Sequence, residues 1–563
     1  MQRIWKWLVI ALGTIGWSWT MVKSGWVYSF GMGFWGANGH DGIWHIALIE
    51  SLSRGSLKMP IFSGASLQNY HIGYDLVIAF LHRITSIPVV NLYFQVAPPI
   101  IAALIGLLTY KFVLLWVKSQ KAALWSTFFV YFGGSFSWIL GKGESAFWSI
   151  QAISTLINPP FALSLVFLLL GLIYLTKLKI KYSTRDLILS IIFFGVLIEI
   201  KAYAGVLALG GLLVMALYEL AKTKKWTIAY VFLGSLVLSA VLYYPLNKNA
   251  TGLVIWSPFW FLESMIAGTD RLYLPKLAEA MLSYRTQQVI RKFVPTYLAV
   301  FLIFYIGNLG TRIIKEILVW KWIRKFKSVG VIEIFILSVI VAGILIPTFF
   351  VQKGTPWNTI QFFYYSLFFS GILAGISLDQ ILTSIKKTAF KYTLALLVIG
   401  LTIPTTILTL KDVYIPPRPP AMLSIGEMEA LKFLSGEPSG IVLTFPFPFD
   451  EVASSKWVTA PKPLFLYTST AYVSAFSKKD VFLEDYGNLD ITNYGWPERL
   501  KEVEAWYKET DGDSAREFLK VNNIGYVYWL KDQGALLDAA QLGLSGIFKN
   551  SEVTIYKVEL LND

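Results

Sequence analysis

All four histidines of the chain, His40, His45, His71 and His82, fall between Gly36 and His82, together with the acids Asp41, Glu50 and Asp75. Carboxylates and imidazoles gathered in one stretch are the side chains of general acid–base chemistry. They also ligate divalent cations. Asp41 stands among Gly36, Gly39 and Gly42, just ahead of a helix expected over Ile43–Ser53. As a cap of that helix it would accept backbone N–H bonds, and as a general base it would present the same carboxylate to the loop. The two roles are compatible. Asp41 and His45 are four residues apart and share a helix face. With His40 they make a candidate ligand set for a divalent cation such as Mg or Mn. Glu50 falls toward the far end of the same helix, on a face expected to be solvated. His71 and Asp75, in Tyr70-His-Ile-Gly-Tyr-Asp75, repeat the four-residue spacing at the start of the next helix. That pair is expected at the same interface, facing Asp41 if the loop folds back. His82 is expected to be structural.

The scaffold that must hold these groups is set by composition. Hydrophobic residues make up 55% of the sequence, charged residues 15%, and mean hydropathy is +0.57, so too little charge is present to cover a soluble surface of this size. Repeated apolar runs of about 20 residues match a hydrocarbon layer about 30 Å thick. The fold class is therefore a polytopic α-helical membrane protein, with about eleven to thirteen transmembrane helices. Segments are expected at 72–87, 91–117, 121–140, 158–177, 186–200, 202–221, 226–246, 293–310, 330–351, 357–378 and 389–410, after a first span in Met1–Val22. Whether 72–87 crosses fully or only dips in is left open by the sequence. The net charge of +14 sits mainly in short loops between these runs, as membrane topology requires, and gives no support to nucleic-acid binding. The absence of cysteine excludes disulfides, thiolate metal sites and thiol nucleophiles.

No small-residue cleavage site follows Met1–Val22, which reads as a retained span with its amino terminus in the cytoplasm. The loop at about 23–72 then lies outside. Arg312, Lys315, Lys321, Arg324, Lys325 and Lys327 mark a cytoplasmic loop, as do Lys177–Arg185 and Lys222–Lys225. The 247–292 loop, the 352–358 loop and the carboxyl terminus are then extracytoplasmic, in a multi-pass protein of the cell membrane. Pro416-Pro-Arg-Pro-Pro420 reads as a stiff linker between a membrane domain, 1–415, and a small external α/β domain, 421–563. In that domain helices are expected over 425–434, 498–508 and 514–520, and strands over 441–445, 525–530 and 553–558. Its Glu484-Asp-Tyr-Gly487 and Asn493-Tyr-Gly-Trp496 would either bind carbohydrate or pack the domain, and packing is the expectation.

Gly39-His-Asp-Gly-Ile-Trp-His45, followed by Phe62-Ser-Gly64 and Tyr70-His71, is similar to the first-loop motif of the GT-C superfamily of membrane glycosyltransferases. The layout of the whole chain resembles the same group, which includes protein mannosyltransferases, aminoarabinose transferases and oligosaccharyltransferase catalytic subunits. The resemblance implies transfer of a sugar from a polyprenyl-phosphate-linked donor to a lipid, glycan or protein acceptor at the outer face of the membrane. It makes Asp41 the general base, with His40, His45 and Asp75 as its catalytic company. Phosphate is a good leaving group that needs no protonation, so cations to receive it are the remaining requirement. Lys201 interrupts an apolar run, where a charge is costly to place without purpose. Lys353 has Asn358 and Gln361 behind it, and Tyr70 and His71 complete the expected phosphate and substrate contacts. The alternatives are a Glu199–Lys201 contact at a helix break and snorkelling of Lys353 to lipid headgroups. Glu144, Asn158, Arg271 and Arg285 are polar residues for which a structural role is expected. One departure stands out: no second acid adjoins Asp41, as one does in the protein mannosyltransferases. A transporter or flippase of lipid-linked glycans is the alternative class, but it would be expected to show two similar halves, which this chain lacks.

Overall fold

The computed structural model describes residues 2–248, 254–447, 460–531, 539 and 542–559. The chain divides into two compact units. One comprises Met1–Thr20, Pro98–Pro245 and Ala250–Ile415, and the other Met21–Ala97, Leu246–Asn249 and Pro416–Asp563.

Apolar periodicity without strand signals makes the first unit helical. Among the described residues eight helices are both long and apolar enough to cross a membrane: Val89–Val117, Gln120–Leu140, Pro159–Ile180, Ala202–Thr223, Ile290–Arg324, Val331–Phe349, Pro356–Ser384 and Thr388–Tyr414. Thr227–Tyr243 is a shorter apolar helix, and Gln2–Val22 is a helix of 21 residues. The segment at 72–87 is a helix of 13 residues, Gly73–Thr85. At 1.5 Å per residue it reaches about 20 Å, short of the hydrocarbon thickness. It does not cross. The segment at 186–200 breaks as its charges suggest: Thr184–Gly195 gives way to the short turn Leu197–Ile200. Lys201 is then extended, at φ −157° and ψ 112°, before Ala202–Thr223 begins. The strand Val254–Trp256 pairs antiparallel with Phe350–Gln352 and so joins the two loops expected outside.

Arg312 and Lys315, counted with the exposed basic loop, are instead buried. Arg312 donates from Nε to the Leu309 carbonyl at 3.0 Å and from Nη2 to the Asn308 carbonyl at 2.7 Å and to the Gln151 side chain. Helix-end carbonyls need donors, and a guanidinium supplies several.

The second unit is built on two sheets. In the first, Gly31–Phe34 lies between Val27–Tyr28 and Ala421–Leu423, pairing antiparallel with both, and Lys462–Pro463 runs parallel to Ala421–Leu423. Gly33 is opposite Met422. The residues just after the proline stretch thus complete a sheet begun in the first loop, and the loop and the carboxyl-terminal part form one compact body. The second sheet has the order Ile441–Thr444, Ile524–Leu530, Val553–Val558, Leu544–Lys549, parallel in its first pairing and antiparallel in the others. Five consecutive residues of its inner strand, Tyr526 to Leu530, are buried. That pattern belongs to a strand covered on both faces. Helices over Ile425–Gly436, Trp496–Lys508 and Gly512–Val521 match the expected ones. Ser424 and Asp511 cap two of them, accepting from the Glu427 and Ser514 amides at 3.1 and 3.0 Å.

Candidate active site

Asp41 opens the helix Asp41–Ser53. The chain reaches it through the 3-10 turn Gly36–Gly39, where Gly36 takes φ +59°, a conformation that suits glycine. His40, not Asp41, occupies the cap position, and no side-chain cap bond is made there. Residues Gly42 to Leu52 are all buried, but the Asp41 side chain is 55% exposed. Its Oδ1 lies 2.8 Å from Nδ1 of His40. An anionic carboxylate in the first turn is favoured by the helix dipole. Gly42 is there for close packing: a Cβ at this position would lie 3.0 Å from Cζ of Phe94.

His40 is tuned by its surroundings. Burial disfavours the imidazolium, but the charge and hydrogen bond of Asp41, with the charge of Asp485, raise its pKa above the usual histidine value. Asp485 is the functional candidate that sequence reasoning assigned to packing. It is 2% exposed and holds φ +57°, unusual for a residue with a side chain. Its Oδ1 accepts from the Asn488 amide at 3.1 Å and its Oδ2 from Asn488 Nδ2 at 2.8 Å, so that it caps Tyr486–Ile491. Burial pushes its pKa up to about 6, against the hydrogen bonds of Asn488 and the charge of His40, and the charge of Asp41 adds to the rise. The neighbouring Glu484 is raised to about 8 by burial, although the amides of Val473 and Ser474 donate to it at 2.8 and 3.1 Å. A cavity here is lined by Thr444, Phe465, Tyr467, Thr470, Tyr472 and Glu484. The sequence signal for it was an adjacent acid pair ahead of a glycine in an aromatic stretch. Asp485, from a segment more than four hundred residues on, thus lies within electrostatic reach of His40 and Asp41.

His45 and Asp75 meet each other rather than Asp41. Nδ1 of His45 lies 2.8 Å from Oδ1 of Asp75, and their side chains are 7% and 0% exposed. Tyr70, Tyr74 and Tyr93 surround the imidazole at centroid distances of 6.2, 6.0 and 5.9 Å. Tyr70 stacks on His71 at 4.6 Å and meets Trp44 edge-on at 5.5 Å. The expected metal set of His40, Asp41 and His45 is consequently not assembled, since His45 is engaged by Asp75 in the interior. Among the described residues no group of three or more His, Cys, Asp or Glu side chains is placed to hold a metal ion. Glu50, expected on a solvated face, is 5% exposed and lies 3.4 Å from Nζ of Lys478, because its helix is buried all round. His82 bonds the Ile87 carbonyl through Nδ1 at 2.7 Å, a structural contact.

The expected cations lie in the other unit. Lys201 is buried, with Nζ 5.3 Å from the ring centroid of Tyr203. The Tyr203 hydroxyl donates to Oε1 of Gln352 at 2.9 Å, and Gln352 precedes the exposed Lys353. Gln361 accepts from Nδ2 of Asn158 at 3.1 Å and donates to Oδ1 of Asn358 at 3.4 Å. Asn158 in turn caps Pro159–Ile180, accepting from the Phe161 amide at 3.1 Å. Lys201 thus reaches Gln352 through Tyr203, and Asn358, Gln361 and Asn158 make a separate run of polar contacts, neither of which sequence alone connected. Arg285 is held by Glu263 at 2.7 Å, and Arg271 lies over the Trp148 ring at 4.1 Å. Both have structural partners. Glu144 takes hydrogen bonds from the Gln151 amide at 2.7 Å and from Ser154, while burial lifts its pKa to about 7.

No family model and no curated protein matches the chain by sequence. Solved structures do match by shape. The oligosaccharyltransferase of Archaeoglobus fulgidus in its apo form superposes with a TM-score of 0.53 at 13% identity, covering 93% of this chain and 69% of that one. The arabinofuranosyltransferase AftD from Mycobacteria gives 0.53 at 12% identity, covering 100% of this chain and 40% of that one. The chain has the GT-C fold. The Archaeoglobus enzyme, AglB, also matches in a structure with an inhibitory peptide and a dolichol-phosphate, with a TM-score of 0.51, 12% identity and coverage of 93% and 69%. It matches again in a complex with Zn and sulfate, with a TM-score of 0.52, 13% identity and coverage of 92% and 67%. Within the GT-C fold the loop after the first helix carries Asp41, and the match extends over nearly the whole chain, carboxyl-terminal part included.

Proposed function

We propose that this protein is a membrane glycosyltransferase that moves a sugar from a polyprenyl-phosphate-linked donor to a hydroxyl-bearing lipid, glycan or protein on the extracytoplasmic face. The observation that carries the reading is Asp41: a solvent-accessible carboxylate at the first turn of a helix otherwise sealed from solvent, hydrogen-bonded to His40. The acceptor hydroxyl gives its proton to Asp41 as its oxygen bonds the anomeric carbon. The bond from that carbon to the phosphate oxygen breaks, and the phosphate departs as an anion needing no proton. Lys201 and Lys353 receive that charge, with Asn358 and Gln361 ordering the polar contacts behind them. A single base acting on the acceptor predicts inversion at the anomeric carbon.

His40 and Asp485 set the basicity of Asp41, and His45 with Asp75 fixes the helix that presents it. Tyr70 and His71 wall the same region. The cavity beside Glu484 is assigned to the acceptor, since it joins aromatic faces to hydroxyl and carboxyl groups. With the amino terminus in the cytoplasm, the Asp41 loop and the carboxyl-terminal part face outward, where such donors and acceptors meet. The test is sugar transfer by the purified protein in lipid, offered a panel of polyprenyl-phosphate sugars with mixed acceptors. Turnover with one donor supports the reading. Movement of lipid-linked glycan across vesicles without transfer would make the protein a transporter instead.

A further inference from the structure

The run Ile290–Arg324 is 35 residues long, which at 1.5 Å per residue is roughly 50 Å, well beyond a hydrocarbon thickness of about 30 Å. Residues 293–309 are free of charge and cover roughly 25 Å by themselves, so the excess falls at the Arg324 end. There a 3-10 turn at Gly310–Ile314 leads into a last helix, Lys315–Arg324, and Lys325 and Lys327 follow. Ile317, Trp320 and Ile323, spaced by three, form an exposed apolar stripe on that helix. Lys321, Arg324, Lys325 and Lys327 are exposed too, and the Arg324 guanidinium lies 5.8 Å from the Trp320 ring centroid. A helix with such a stripe and basic flanks lies in the headgroup layer, its rings and aliphatic stems toward the acyl chains.

Two other basic loops meet it. Lys222 Nζ and the Tyr218 hydroxyl both donate to the Val329 carbonyl, at 2.9 and 2.8 Å, and the Tyr218 ring meets Phe326 edge-on at 5.8 Å. Exposed Lys224 and Lys225 are thereby brought to the same surface. Lys321 donates to Oε1 of Gln380 at 3.1 Å near the end of Gln361–Ser384, after which Lys386 and Lys387 are exposed. The acids packed here are turned inward. Asp379 and Glu333 are half-buried and accept from Ser119 at 2.7 Å and from Trp116 at 3.3 Å. Glu219, 1% exposed, accepts from the Ile228 amide at 3.0 Å. Basic residues in loops orient a membrane protein wherever along the loops they fall. Here the fold collects three loops into one basic surface above an apolar stripe, and a polybasic cluster beside a membrane-spanning helix attracts anionic headgroups.

We propose that this end of the membrane unit is a binding surface for anionic phospholipids. Lys224, Lys225, Arg324, Lys325 and Lys327 hold the headgroup phosphates, while Ile317, Trp320 and Ile323 rest on the acyl chains. A zwitterionic headgroup carries its own ammonium and gains less from the same cations. The inference does not depend on the sugar-transfer reading. In the test, full-length protein in detergent is given equal amounts of phosphatidylglycerol and phosphatidylethanolamine and passed through size-exclusion chromatography. Mass spectrometry then measures the lipid it retains. Phosphatidylglycerol should be retained in excess by about threefold or more, and the excess should shrink when salt is raised from about 0.1 M to about 0.5 M. Lys224→Gln, Lys225→Gln, Arg324→Gln, Lys325→Gln and Lys327→Gln, made together, should abolish the excess. Lys276→Gln, Arg291→Gln and Lys292→Gln, made together at exposed positions outside this surface, should leave it. Wild type with no excess, or with one that salt does not move, would overturn the proposal even if the combined variant failed to fold. So would an equal excess in wild type and the combined variant, or an equal loss in the control.

Discussion

His45 and Asp75 form a hydrogen-bonded pair, 2.8 Å from Nδ1 to Oδ1, in the interior between the helices Asp41–Ser53 and Gly73–Thr85. The pair fixes the rotation of the helix that starts at Asp41, and breaking it leaves a polar group stranded in a buried site. Asp75→Ala should therefore destabilise the protein by about 3 kcal/mol, and Asp75→Asn, which keeps an acceptor, by clearly less. Thermal unfolding followed by tryptophan fluorescence reads this directly. Abolished transfer by Asp75→Ala with an unchanged midpoint would instead make Asp75 a catalytic group.

The His40–Asp41 contact predicts a pH profile. His40 titrates above the usual histidine value, and while it is protonated its charge weakens Asp41 as a base. Transfer should rise with pH as His40 loses its proton. In His40→Gln that limb should be lost, since the group that titrates there is gone. An unmoved limb in kcat/KM would separate His40 from the base.

Lys201 and Lys353 are assigned to the donor phosphate. Replacing either with methionine should raise the donor KM by roughly tenfold to a hundredfold, the range expected for a lost charge-assisted hydrogen bond. Tyr203→Phe removes the 2.9 Å bond to Gln352 and should have a smaller effect in the same direction. Donor titrations at fixed acceptor check all three, and unchanged KM values in both lysine variants would move the phosphate elsewhere.

Much of this arrangement was legible in the sequence because its causes are local. Asp41 is marked by a polar stretch in an apolar chain, and Lys201 by a charge inside a hydrophobic run. The carboxyl-terminal helices and strands follow from period and capping residues such as Ser424 and Asp511. What was not legible depends on long-range packing. Residues 421–423 were read as the start of a separate domain, yet they pair with Gly31–Phe34, and strands of three or four residues leave little periodic signal. Asp485 looked like a packing residue because its proximity to His40 and Asp41 arises only when that segment folds against the first loop. The spacing of His45 from Asp41 was read correctly as helical, but spacing does not reveal that the helix is buried all round. Glu50 was misjudged for the same reason.

Buried acids in the second unit give a stability prediction of definite sign. Burial, then the charge of Glu552, raises the pKa of Glu427 from 4.5 to about 7, against the hydrogen bonds of Tyr472 and Ser424. The folded state favours the protonated form, so this contribution is complete below the unfolded value and is lost as pH rises through about 7. At most it amounts to about 3 kcal/mol. Glu484 and Asp485 act in the same direction. The thermal midpoint should thus fall between about pH 5 and pH 8, and Glu427→Gln should flatten part of that slope. A midpoint that rises across this range would contradict the burial of these acids.

Asp41 is the residue on which the account turns, and one comparison tests it most directly. Sugar transfer from a polyprenyl-phosphate donor is measured for wild type and for Asp41→Asn, each purified in lipid and shown by thermal unfolding to be folded. The account predicts that turnover falls by about two to four orders of magnitude in Asp41→Asn, with donor binding retained. Equal turnover in the two proteins would contradict it, and the acceptor proton would then have to go to another group.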